Sequence, residues 1–281
     1  MPFIGRKLEF FSFHGRSPKR KFDYDIFFNE VSKIAPQNRV FKIGKRTFAI
    51  PSFQYKQGIG SLIIYEGDDK TPLIFNAESG EERHEKLQRN EFVAEKTHAV
   101  FDLKKRQFLI EYVQRGAKAY HLSDLLQFLA RKIFDDPDIM FTLNPDISED
   151  FIKEVGRFER IRVATMRLSR PNQDWTDCYN GLSEVAEDSE AQDFDVSMKA
   201  GRGQSLKKKE GIIKIIGDLV KQPISALKNA KITGTRRDEN KETTISTFKH
   251  IAHRRTRIRT DEDGYVLAND IIEKMKTFIG L

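Results

Sequence analysis

Two clusters of cationic side chains carry the chemistry most legible in this chain. The first lies in DFDVSMKAGRGQSLKKKEGIIKIIGDLV, residues 193–220. It reads as a strand, a glycine loop at Gly201 and Gly203, and a helix running from that loop to about Val220. Ile212, Ile213, Ile216, Leu219 and Val220 mark the helix's buried side. Lys207, Lys208 and Lys209 then fall in the first turn, where the helix dipole already presents partial positive charge. A bound phosphate resolves that conflict, drawing on free backbone N–H groups, the flexible glycines, and the cations Lys199, Arg202 and Lys207 to Lys209. The G-x-x-x-x-G-K-[ST] spacing of a Walker loop is missing, and so is the third glycine of a dinucleotide fingerprint. The plain alternative is a solvated helix start.

The second cluster is HIAHRRTRIRT, residues 250–260. On a strand, alternate side chains share a face, so Arg255, Arg257 and Arg259 line one side and Arg254 the other. Their spacing of about 6.8 Å suits successive phosphates of one nucleic acid strand. An edge strand kept soluble by charge would look the same. Phe248 is the one aromatic residue nearby, which disfavours a stacking platform for single strands and favours duplex DNA read through its phosphates. Arg236 and Arg237, in the turn before Lys241, extend the same basic region.

Catalytic signatures are thin. The six histidines show no metal-ligand spacing, although His250 and His253 are close. Asp261-Glu262-Asp263-Gly264 lacks the ligand pattern of an EF-hand and reads as a turn. Asp195 with Lys199 is a faint nuclease hint without a third acid for two-metal chemistry. Nucleophile-elbow and zinc-protease motifs are missing. Cys178 reads as a core residue. The expectation is therefore no catalytic residue, no metal and no cofactor, with a metal-dependent nuclease or nucleotide-consuming toxin as the alternative.

Composition frames these clusters. Hydrophobic content of 38%, with 22 Phe, is enough for a packed core. The net charge is +7, yet Lys199 to Arg259 alone holds seventeen bases against five acids, +12, leaving −5 for everything else. Just upstream, Asp174 to Asp195 contains eight acids and neither Lys nor Arg. Such asymmetry is expected of a polyanion-binding face, and equally of a strongly solvated surface. A single cysteine and the lack of a long apolar run point to the cytoplasm.

The elements that must position the cations form an α+β pattern. A strand at Lys7 to Phe13 leads through the basic loop GRSPKRK to a helix capped by Asp23, with Ile26, Phe27, Val31 and Ile34 apolar. Hairpins fill Val40 to Tyr112, and HLSDLLQFLARKIF has helical spacing. Asn144-Pro145-Asp146 reads as a linker, giving an N-terminal lobe at 1–146, rich in antiparallel hairpins, and a C-terminal lobe at 147–281. The second lobe is expected to run βαβαβββα, including a helix near Trp175 to Ala186 and a last helix at Leu267 to Phe278.

Over most of the chain this order resembles the RexA-type phage-exclusion family. The resemblance is carried by the first strand with its loop HGRSPKRK, the helix DYDIFFNEVSK, and the hairpin VFKIGKRTFAI. The C-terminal order of strand, helix, DVSMK strand, basic helix and closing acidic turn extends it. It implies a homodimer that binds DNA without marked sequence preference in defence against phage, with a membrane or effector partner encoded nearby.

Overall fold

The computed structural model describes residues 2–68, 70–88, 91–169, 189, 191, 193–222, 226–236, 239 and 241–280. The protein is α+β, as its patterning indicates, and it divides into two compact units that are not consecutive in the chain. The first comprises 1–8, 17–141 and 255–281, and the second 9–16 and 142–254. Residues 255–281, expected in a C-terminal lobe, thus pack with the N-terminal hairpins. Among the described residues, no helix is long and apolar enough to cross a membrane.

Strands β1 (Phe3–Arg16), β2 (Val40–Ile43), β3 (Arg46–Lys56), β4 (Ile59–Asp68), β7 (Val93–Asp102), β8 (Gln107–Tyr112) and β14 (His253–Arg259) lie in the order β14-β1-β8-β7-β4-β3-β2. From β8 through β2 the pairings are antiparallel hairpin ladders. A small pair, β5 (Leu73–Phe75) and β6 (Glu82–His84), stands apart.

Helix α1 (Tyr24–Lys33) starts where Asp23 accepts a hydrogen bond from the Ile26 N–H at 2.9 Å. Helix α2 (Ala119–Phe134) buries Leu122, Leu125, Leu126 and Leu129, matching its periodicity. The core between these helices and the sheet is aromatic. Phe28 packs on Phe101 with ring centroids 4.2 Å apart, and Phe22, Phe27, Phe134 and Phe141 continue the cluster. Gly60 is required here, since a Cβ would stand 2.1 Å from the Phe101 ring. The last helix, α5 (Ala268–Phe278), buries Ile271 and Met275 in this unit.

In the second unit, β10 (Phe158–Ser169), β11 (Asp193–Lys199), β12 (Leu227–Arg236) and β13 (Glu242–Ser246) form an antiparallel sheet of order β11-β10-β12-β13. Helices α3 (Asp150–Gly156) and α4 (Gly211–Lys221) supply Phe151, Val155, Ile212, Ile216 and Leu219 to its core. The expected linker is instead the end of a strand, β9 (Met140–Pro145), paired with β1. Asn144 is fully buried there, its side-chain amide Nδ2 donating to Ser169 Oγ at 3.2 Å and its backbone carbonyl accepting from Ser12 Oγ at 3.4 Å. A turn-forming Asn-Pro-Asp sequence is overridden by these partners. The helix expected near Trp175, Cys178, and most of the acidic stretch lie outside the described residues.

Candidate nucleic-acid interface

Strand β14 is the edge of the first unit's sheet. Thr256, Ile258 and Thr260 turn inward, Ile258 being fully buried, while Arg255, Arg257 and Arg259 are exposed. The alternation read from sequence is therefore present. The three arginines are not equivalent. Arg259 Nη2 pairs with Asp270 Oδ1 on α5 at 3.0 Å, and the Arg259 backbone N–H donates to Asp270 Oδ2 at 2.9 Å. That backbone bond, seconded by the Arg259 and Lys274 side chains, holds the Asp270 carboxyl below the usual carboxylate range despite its burial. Among the described residues, the Arg255 and Arg257 guanidinium groups have no acidic partner.

Arg255, Thr256 and Arg257 line a groove of about 580 Å³ together with Gly5, Arg6 and Lys7 of β1. Four basic residues from two strands thus border one concave surface, with Arg6 paired to Glu111 and Lys7 Nζ 5.4 Å from the Tyr112 ring centroid. The β1 pair was missed in the sequence because local pattern does not say which strand lies beside which. In the sequence Lys7 stands only as the first residue of an expected strand. Arg254 belongs to the second unit, where it is exposed and without an acidic partner among the described residues.

The lysine cluster differs from its reading. Helix α4 begins at Gly211, so Lys207, Lys208 and Lys209 lie in a turn before it rather than in its first turn. Glu210 is extended and Gly211 adopts a φ of +56°, a combination that stops the helix from reaching back to Gly201. Lys207 pairs with Glu210 at 2.7 Å. Lys208 donates to the Gly156 carbonyl at the end of α3, at 3.0 Å. The glycine loop is stitched to β10: the Leu206 N–H donates to the Ile161 carbonyl at 2.9 Å, and the Ile161 N–H to Ser205 Oγ at 2.9 Å. Gln204 N–H is used within the loop, on the Gly201 carbonyl at 2.9 Å.

Lys208 and Arg236 share a cavity of about 610 Å³ with Arg157. Glu154 neutralises this corner, reaching Arg236 at 2.8 Å and also binding Arg157, while Glu239 stands 3.6 Å from Arg236. Lys199, Arg202 and Lys209 are exposed with no acidic partner among the described residues. Arg237 lies outside them. Asp195 sits opposite Arg167 in the β10–β11 ladder, and no group of three or more His, Cys, Asp or Glu among the described residues could hold a metal ion. His250 packs edge-on against Phe151.

The chain belongs to DUF6731, a family of unknown function, which it matches over residues 11–279. No curated protein matches it.

Proposed function

We propose that this member of DUF6731 is a non-catalytic protein that docks on the phosphate backbone of nucleic acid, duplex DNA foremost, without marked sequence preference. One observation carries the reading. Arg255 and Arg257 stand exposed on an edge strand, unneutralised by any described acid, and share a groove with Arg6 and Lys7. Holding Arg255 and Arg257 side by side costs self-repulsion, which a polyanion relieves. None of the groove's six lining residues is aromatic, which suits phosphate contact better than base stacking along the groove itself. A second copy related by a two-fold axis would present the groove twice to one duplex. A cytoplasmic setting, a role in phage exclusion and a neighbouring effector protein follow from the resemblance to RexA-type proteins and belong to the same proposal.

The test is a mobility shift with labelled duplex at low salt. Wild-type protein shifts it, and the Arg255→Glu/Arg257→Glu double variant, folded by circular dichroism, binds at least about 100-fold more weakly. Binding that ignores the double substitution overturns the reading. So does clean metal-dependent cleavage of the probe, which would favour a nuclease.

A further inference from the structure

The same unit contains a second concavity whose chemistry differs from that of the groove. Three adjacent strands, β1, β8 and β7, place Arg6, Glu111 and His98 in a row across the sheet. Arg6 Nε stands 2.9 Å from Glu111 Oε1, and His98 Nδ1 stands 2.7 Å from Glu111 Oε2. Glu111 and His98 are each 1% exposed. A carboxylate only accepts, so Nδ1 carries the proton and donates it to Glu111; the His98 backbone N–H also donates to Oε2, at 3.3 Å. In the neutral imidazole this leaves Nε2 as the acceptor. Nε2 is buried and has no hydrogen-bond partner among the described residues. A buried polar atom left unpaired in this way costs free energy that a ligand can recover.

His98 and Glu111 line a cavity of about 520 Å³, with Arg6, Lys96, Tyr65 and Tyr265 also on its wall. The volume is that of an ordinary small-ligand site. Its charge is close to balanced, because Glu111 answers Arg6 while Glu95 and Asp261 stand against Lys96. A free phosphate gains little there, whereas a neutral, flat ring with an N–H donor finds an acceptor at Nε2 and a π-face at either tyrosine. Arg6 is the link, since it lines both this cavity and the cationic groove.

We infer that the cavity built on His98 and Glu111 takes a nucleobase, unpaired from its strand, while the adjoining phosphates lie on Arg255 and Arg257. The base donates a Watson–Crick-edge N–H to His98 Nε2 and stacks on Tyr65 or Tyr265. Glu111 is a positioning residue, holding the His98 tautomer and the Arg6 side chain together. The inference rests on the phosphate-docking reading and adds to it the state of the nucleic acid: a duplex with one nucleotide turned out.

Two duplexes separate the outcomes, one carrying a single bulged adenine and one an abasic residue at the same position, each titrated at low salt. The expected result is about tenfold tighter binding of the bulged adenine. His98→Ala and, separately, Tyr265→Ala reduce that preference to less than about twofold and leave the abasic duplex unaffected. Tyr265 is 62% exposed, so its variant keeps the test valid if His98→Ala fails to fold. The Arg255→Glu/Arg257→Glu variant weakens both duplexes alike. Equal binding of the two duplexes by wild-type protein overturns the base cavity and leaves the groove standing. If neither duplex binds, the groove reading falls and adenosine monophosphate decides the cavity. Saturable binding lost in His98→Ala or Tyr265→Ala supports it, and no binding at millimolar nucleotide overturns it.

Discussion

The arginine strand and the lysine turn look alike in composition and differ in how their charge is used. On β14 the backbone spends its hydrogen bonds on the sheet and the side chains alternate, so Arg255 and Arg257 are left outside with no acidic partner among the described residues. In the turn before α4 the chain folds onto itself. Glu210 takes Lys207, a helix carbonyl takes Lys208, and two of the loop's N–H groups are spent inside the protein, Leu206 on β10 and Gln204 on Gly201. Three consecutive lysines with Glu210 therefore carry no more net charge than two alternate arginines, and one lysine ammonium is tied to the fold. A count of cations in sequence measures neither compensation nor direction, and only direction distinguishes a docking surface from a solvated one.

The sharpest way to break this contrast is a matched pair of double substitutions. Arg255→Ala/Arg257→Ala is expected to weaken duplex binding about 30-fold and to lower the salt slope, log K against log salt, by about 1.8, the loss of two phosphate contacts. Lys207→Ala/Lys208→Ala is expected to cost less than about threefold and to leave the slope nearly unchanged. Equal losses would mean that the turn contributes as much as the strand, and the distinction drawn from their partners would fail.

Much of the contrast was hidden in the sequence for definable reasons. Alternation is a local property, so the exposed face of Arg255, Arg257 and Arg259 was readable, as were α1 with its Asp23 cap and α2 with its leucine stripe. Strand neighbours are not local. Nothing in GRKLEFF says that β1 lies beside β14, and the groove exists only through that adjacency. The start of α4 failed for another reason. Gly201 and Gly203 were the conspicuous glycines, but the positive φ at Gly211 is what breaks the chain. The His98–Glu111–Arg6 row was invisible because its members are 13 or more residues apart and meet only across strands.

Within the strand itself, Arg259 should stand apart from its neighbours. Asp270 neutralises it, so Arg259→Ala is expected to weaken binding by less than about threefold. Conversely, Asp270→Asn releases the guanidinium and should tighten duplex binding about two- to threefold while lowering the melting temperature at pH 7 by about 2–3 °C. The pH dependence has a definite sign. The folded carboxyl lies below its ordinary value of 3.8, so its contribution to stability is complete above that value and is lost as pH falls through the lower folded one. The stability gap between wild type and Asp270→Asn should therefore close on the acid side of about pH 4 and persist at neutral pH. A gap that is constant with pH, measured by denaturant unfolding, would remove Asp270 as the reason Arg259 differs.

The smallest expected effect tests the other half of the comparison. Gly211 has open space around its missing Cβ, so an alanine there meets no neighbour and is penalised only through its backbone, at φ +56°. That cost is about 1 kcal/mol, seen as a lower denaturation midpoint with an unchanged m-value. If the lysine turn is held chiefly by its own ion pair and carbonyl contacts, Gly211→Ala destabilises the second unit and leaves duplex affinity within about twofold. If instead the turn docks on nucleic acid, disturbing the break between turn and helix moves all three lysines, and affinity falls with stability. Stability and binding respond separately in the first case and together in the second, which makes a residue with no charge the most discriminating probe of a charged loop.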